Sequence, residues 1–314
     1  VLPFFKGLTG AELLSPPRDA LAADYPEQAL AWRLQTRFLE GVAAELRTTH
    51  ALKPRPLIKA LLKSPYFRAR RLTGTEVEKR ALALAGVGRG VVVTPEQLSR
   101  RVEAVTGWRY TPRGSRHDYL TAPGDCCSGA VVYRAVMGGL DYATTTERYR
   151  EPTPLVARLQ ERMSNTMACR AVMQDLARTD PATRTLLPAA VTLQTAPVGA
   201  SGQPDPAGEA AIRDAIASLH LTVLGETRAS GDAELEASYA LWRDAFTAGR
   251  QLVQSGMSSA MLPPECRAVS DPYDNTATYP RAGFTALSSD PGYTARAWVA
   301  LVSYLLSDPR FLQE

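Results

Sequence analysis

Leu61-Leu62-Lys63-Ser64-Pro65-Tyr66-Phe67 returns near the end of the chain as Leu305-Leu306-Ser307-Asp308-Pro309-Arg310-Phe311. Both copies close an apolar stretch with the same punctuation. Proline disfavours helical geometry in the residue before it, so Ser64 and Asp308 are expected to end helices. The aromatic residue two places after each proline, Phe67 or Phe311, can then fold back against the helix just left. The pattern reads helix, stop, aromatic anchor, twice over. It concerns architecture and carries no chemistry of its own.

Working outward, the same helical periodicity continues. From Pro26 to His50, the residues Leu30, Leu34, Phe38, Val42 and Leu46 recur every four positions, one apolar stripe with arginines and glutamates opposite. A Pro-bounded break at Lys53 to Pro56 leads into a helix from Leu57 to Leu62. Thr94-Pro95-Glu96-Gln97 is a helix start, with threonine as N-cap, proline in the first turn and an amide reaching back. The helix it opens carries Leu98, Val102 and Val105 and ends at Gly107. Thr153-Pro154 caps another, with Leu155, Leu159, Met163, Met167 and Val172 on its inner side. Helices resume at Ala207 to Leu224 and Ala233 to Ser255; the last starts near Asp290-Pro291 and carries Trp298, Leu301, Val302 and Leu305. Strand alternation is missing, so a hairpin is the most sheet to expect. The expected class is mainly α: an irregular helical bundle with long Pro/Gly-rich loops, in one or two lobes. The stretch at 195–208, rich in Pro, Gly, Ala and Ser, reads as a linker or exposed loop between an N-terminal lobe, 1–194, and a C-terminal lobe, 209–314.

Composition narrows the classes of function. With 314 residues, 45% hydrophobic and 22% charged, the chain has ample material for a core. No apolar run reaches the length of a membrane span. The net charge of +4 is spread among interleaved acids, with no clustered basic stripe, so nucleic acid is not an expected partner. Only five of the 36 basic residues are lysine, which reads as the mark of a GC-rich genome. The first residue, Val1, is not an initiator methionine, so an upstream segment, such as a signal peptide, is expected. Gly86-Val87-Gly88-Arg89-Gly90 lacks the ending of a phosphate loop and reads as a turn between helices.

The cysteines are Cys126, Cys127, Cys169 and Cys266. No C-x-x-C or C-x-x-C-H occurs, which removes the usual zinc knuckle and covalent c-type haem. A vicinal pair rarely bridges to itself, so in an oxidising compartment Cys126 and Cys127 would reach separately to Cys169 and Cys266.

Candidate sites lie in the irregular segments. The run from Trp108 to Gly129 is long for a structureless connection and is a candidate binding loop; Trp108, Tyr110, Arg116, His117 and Tyr119 are its expected partner anchors. His117-Asp118 sets an imidazole beside a carboxylate, either a general base or an ordinary turn. Asp271-Pro272-Tyr273-Asp274-Asn275 offers oxygen ligands from Asp271, Asp274 and Asn275, either for calcium or for turn formation. The histidines His50, His117 and His220 share no helical spacing, so a haem or metal site built from them is not expected. Were the chain a secreted hydrolase acting on a polymer, its paired carboxylates would be sought among Asp118, Asp141 and Glu147.

Several pieces together resemble the helical domains of unknown function found in large secreted proteins of planctomycetes and myxobacteria. They are Leu61 to Phe67, Thr94 to Gly107, Gly138-Gly139-Leu140-Asp141, Glu209 to Glu226 with its Leu219-His220 and Leu224-Gly225-Glu226, and Ala297 to Phe311. Such domains commonly travel with c-type cytochrome modules. The resemblance implies an extracytoplasmic helical module associated with cytochromes or other secreted partners. With no convergent reactive set in the sequence and aromatic and Pro-rich loops suited to contacts, the expected function is a non-catalytic scaffold or accessory subunit of the periplasm or cell surface. It would have no cofactor of its own beyond the calcium that the Asp271–Asn275 loop could take, and haem only through a cytochrome partner.

Overall fold

Proline ends the two repeat helices where the sequence places it. In the computed structural model, which describes residues 1–69, 72–88, 92–122, 130–139, 152–199 and 202–313, Ser64 and Asp308 both take extended backbone. The regular secondary structure of the described residues is helical apart from one two-stranded hairpin and single-bridge contacts, a mainly α, irregular fold. They divide into two compact units, Val1–Val92 and Val93–Gln313.

The first unit contains α1 (Leu2–Thr9), α2 (Tyr25–Thr48), α3 (Pro54–Lys63), α4 (Pro65–Arg68) and α5 (Glu76–Leu84). The buried line of α2 is Glu27, Ala31, Gln35, Leu39, Val42 and Leu46. Leu30, Leu34 and Phe38 of the expected stripe lie beside it, half-buried. The reason is geometric: four residues advance a helix about 40° past a full turn, so a strict period of four winds off the inner face. Gln35 is tolerated inside because its amide is satisfied, donating to Glu12 O (2.7 Å) and accepting from Leu14 N (2.8 Å). The first repeat also shifts its anchor by one residue. Tyr66 is buried against Phe5 (5.1 Å between centroids) and Phe38 (5.0 Å), whereas Phe67 is exposed. The chain after Pro65 continues as a helical turn, which carries Tyr66 inward and Phe67 out.

The second unit contains α6 (Pro95–Thr106), α7 (Ala130–Val136), α8 (Pro154–Leu176), α9 (Pro206–Leu219), α10 (Ala233–Gln254), the hairpin β1 (Ser270–Asp271) and β2 (Asp274–Thr278), and α11 (Thr294–Ser307). The capping box of α6 forms as read: Thr94 Oγ1 accepts from Gln97 N (3.3 Å) and Gln97 Oε1 from Thr94 N (2.8 Å). Helix α11 is the centre of the unit, packed on α8 and α10, with Trp298, Leu301, Val302 and Leu305 fully buried. Trp298 lies 5.4 Å from Trp242 of α10. On α8 the inner side includes Val156, Met163, Met167 and Val172, while Leu155 faces outward. Phe311 of the second repeat is fully buried, as expected.

The expected boundary at 195–208 is corrected. Helices α8 and α9–α11 belong to one unit, and the stretch before α9 is built into it: Ala196 is buried, Asp205 N donates to Pro197 O (2.8 Å), and Asp205 caps α9. A side chain on Gly208 would collide with the carbonyl of Ala196, so the segment packs too closely for a spacer. The boundary falls instead at Val92/Val93, within a short apolar run that lacks the composition of a linker.

Candidate functional site

Two segments read separately in the sequence meet in the second unit. The chain leaving α6 lies along the β1–β2 hairpin: Arg109 N donates to Tyr273 Oη (2.7 Å), Gly114 N donates to Pro272 O (2.9 Å), and the Trp108 and Tyr273 rings are 5.5 Å apart. Behind them runs α8, whose Arg162, Thr166 and Arg170 follow at four-residue intervals and share one face. A disulfide between Cys169 and Cys266 joins α8 to the turn Pro264–Cys266. This pairing corrects the expected connectivity, because neither sulfur is left for the vicinal cysteines; Cys126 and Cys127 lie outside the described residues.

Between these elements is a cleft of about 150 Å³. Its walls carry Arg113, Arg162, Arg170 and Arg267, with Tyr110 and Tyr119 on one side and a single acid, Glu265. Arg170, half-buried, donates to Arg109 O (2.5 Å), Thr111 Oγ1 (3.2 Å) and Thr111 O (2.8 Å). Arg113 donates to Pro264 O, and Arg267 Nε to Leu262 O (2.8 Å). Arg162 lies over the Tyr133 ring, 5.7 Å from its centroid. Carbonyls, a hydroxyl and a ring therefore hold these cations; among the described residues none of the four forms an ion pair. Burial pulls the Arg170 guanidinium below its ordinary pKa against the opposing field of nearby tyrosines, and Arg113 adds to the fall. Burial likewise pushes the Tyr110 phenol well above its usual range.

The expected anchors divide. Trp108 and Tyr110, two of the expected partner anchors, are buried and belong to the core beside the cleft, so their side chains present little surface. Tyr119 is half-buried and stacks on Tyr133 at 4.9 Å. Arg116 and His117 are exposed beside the hairpin. His117 and Asp118 do not act as a pair: Asp118 turns inward and accepts from Ser99 Oγ (2.9 Å) and Leu120 N (2.7 Å), with burial raising its pKa against those bonds. Asp141 and Glu147 lie outside the described residues. In the calcium candidate, Asp271 accepts from Tyr273 N (2.8 Å) and Arg281 (2.6 Å), and Asp274 accepts from Thr276 N (2.9 Å) and Oγ1 (2.6 Å). Those carboxylates hold their own hairpin, and the Asn275 side chain lies against Gly114.

A second polar cluster surrounds the end of α9, where the helix widens into a π turn, His220–Leu224. His220 is fully buried; Nε2 lies 3.0 Å from Ser238 Oγ and Nδ1 has no partner. A ring nitrogen of His220 and carboxylate oxygens of Glu226 and Glu234 lie within 4.8 Å of one another, a grouping that could hold a metal ion. All four oxygens of those glutamates, however, already accept guanidinium protons from Arg228 or Arg310. An ion entering there would have to displace both arginines, so the arrangement is an ion-pair box that locks the π turn, α10 and the chain after α11 together.

Sequence reasoning missed Arg113, Arg162, Arg170 and Arg267. The line Arg162, Thr166, Arg170 was visible at helical spacing, yet an arginine row on a helix ordinarily reads as its solvated face. Arg113 and Arg267 join it only through topology. Comparison with family models, with curated proteins and with solved structures found no match to this chain.

Proposed function

We propose that this chain is a non-catalytic accessory module of the periplasm or cell surface, docking onto a partner complex through the face made by the loop after α6 and the β1–β2 hairpin. A cytochrome-containing complex is the partner expected from the sequence resemblance. One observation carries the reading: two irregular segments converge on a cleft whose four arginines form no ion pair among the described residues and share a single lining acid, Glu265. Protein interfaces favour arginine and aromatic residues in such settings. The exposed pair Arg116 and His117 lies on the same loop and extends the face outward. The disulfide supports an oxidising compartment, since such bonds persist outside the reducing cytosol.

The test is isolation of the native assembly under mild conditions, with an absorption spectrum and mass spectrometry for bound haem. Co-purification of a haem protein is the expected result. Recovery of this chain as a lone monomer, with no partner and no haem signal, would count against the proposal. Reversing charge at the face, Arg116→Glu with His117→Glu, is expected to release the partner while leaving thermal unfolding unchanged, because neither side chain is buried.

A further inference from the structure

Charge, donor geometry and size at the cleft together specify a ligand more narrowly than docking alone requires. The Arg162 guanidinium makes no hydrogen bond with a described residue, and that of Arg267 uses only Nε, which leaves its paired terminal nitrogens available. Arg113 uses one terminal nitrogen, on Pro264 O. Arg170 is held on three bonds and contributes fixed positive charge from the wall. Guanidinium edges match two-oxygen anions because they donate two parallel N–H bonds. Four arginines face one glutamate in the lining, so the field favours an anion. A cleft of about 150 Å³ takes a group near the size of a benzene molecule.

We propose that the cleft bounded by Arg113, Arg162, Arg170 and Arg267 is a binding pocket for a single small oxyanion, a carboxylate or a tetrahedral sulfate-like group. This deepens the docking proposal and rests on it for one point, the source of the anion: an acidic side chain or carboxyl terminus presented by the docked protein. A free small anion is the other source of the same chemistry. The floor is rigid, since Gln174 beneath it accepts from Tyr279 Oη (2.7 Å) and donates to Ser270 O (3.2 Å).

The experiment is titration calorimetry on the full chain at constant ionic strength, using inorganic sulfate, glutarate, a blocked Glu-Glu dipeptide and its Gln-Gln counterpart. Saturable binding of at least one anion is expected, weakened tenfold or more by Arg162→Gln and by Arg267→Gln. Arg243→Gln, on the exposed side of α10, should leave it unchanged. Arg162 is an exposed helix residue, so its variant should keep the fold, and a matching circular dichroism melt verifies this. Binding of the Glu-Glu but not the Gln-Gln peptide assigns the anion to a protein; binding of sulfate or glutarate alone supports the pocket and takes away the protein source. No saturable binding, or equal loss with Arg243→Gln, overturns the pocket. Partner capture that survives Arg162→Gln would sink the role of the pocket in docking while leaving the docking face itself intact.

Discussion

Position 310 shows how one residue can tie together elements distant in sequence. Tyr66 and Arg310 occupy the same place in the two repeats, directly after proline, yet one enters an apolar core and the other a charged box. Arg310 donates to Asp308 (2.6 Å), Glu226 (2.9 Å) and Glu234 (2.6 Å), and these bonds hold its charge firmly on. Removing it leaves three acids facing one another with Arg228 alone to balance them. Its side chain is 38% exposed, so water and salt would relieve part of the repulsion. Arg310→Ala is therefore expected to destabilise the second unit by about 2–3 kcal/mol, below the full loss for a buried pair. Arg310→Lys should recover little, because an ammonium cannot span the fork. Urea unfolding measures both. The box also sets a pH response. Bonding from Arg310 holds Glu234 below its ordinary pKa, so its contribution is present above about pH 4.3 and lost as pH falls further. Burial holds the His220 pKa down, so the unfolded chain takes the proton first as pH falls through about 6.5. Both effects lower stability on the acid side. The urea midpoint should drop between pH 7.5 and 5.5 in the native sequence, and His220→Gln should flatten that drop. An equal drop in the variant would remove His220 from the explanation.

Helices α10 and α11 meet through a contact whose sign magnitudes decide. Gly249 sits inside α10, where alanine would ordinarily favour the helix by about 1 kcal/mol. The ring of Tyr293, at the head of α11, occupies the space a methyl group would need, with Arg296 stacked on the ring at 4.1 Å. Overpacking of this kind costs about 1–3 kcal/mol, so Gly249→Ala should destabilise despite its helix propensity. A thermal midpoint lower by a few degrees is the expected readout, and a rise would show that the ring moves aside at no cost. The same scale explains what the sequence revealed. The ends at Ser64 and Asp308, the Thr94 cap and the buried side of α11 were legible because each follows from neighbours within a turn or two. The first half of the α2 stripe lay off the buried line because a period of four winds around the helix. Apolar spacing could not show Gln35 on that line, since its burial depends on Glu12 and Leu14 elsewhere in the chain. The cleft was illegible for the same reason: Arg113, Arg170 and Arg267 acquire meaning only when three distant segments are brought side by side.

At the scale of the whole molecule, two units with separate cores should respond separately to chemistry aimed at one of them. Phe5, Phe38 and Tyr66 centre one core, and Trp242 and Trp298 the other. The bond between Cys169 and Cys266 lies wholly within the second unit and spans 97 positions. Closing so long a loop removes chain entropy from the unfolded state, worth about 4–5 kcal/mol in the chain-entropy account and in practice about 2–4. Reduction should therefore lower the stability of the second unit alone. Calorimetry in the presence of a thiol reductant should show one transition moved down by several degrees and another unmoved, with Cys169→Ala/Cys266→Ala reproducing the shift without reductant. The tryptophans assign the transitions: Trp108, Trp242 and Trp298 belong to the second unit and Trp32 to the first, so fluorescence should follow mainly the transition that moves. A single transition that shifts as one would mean that the units unfold together.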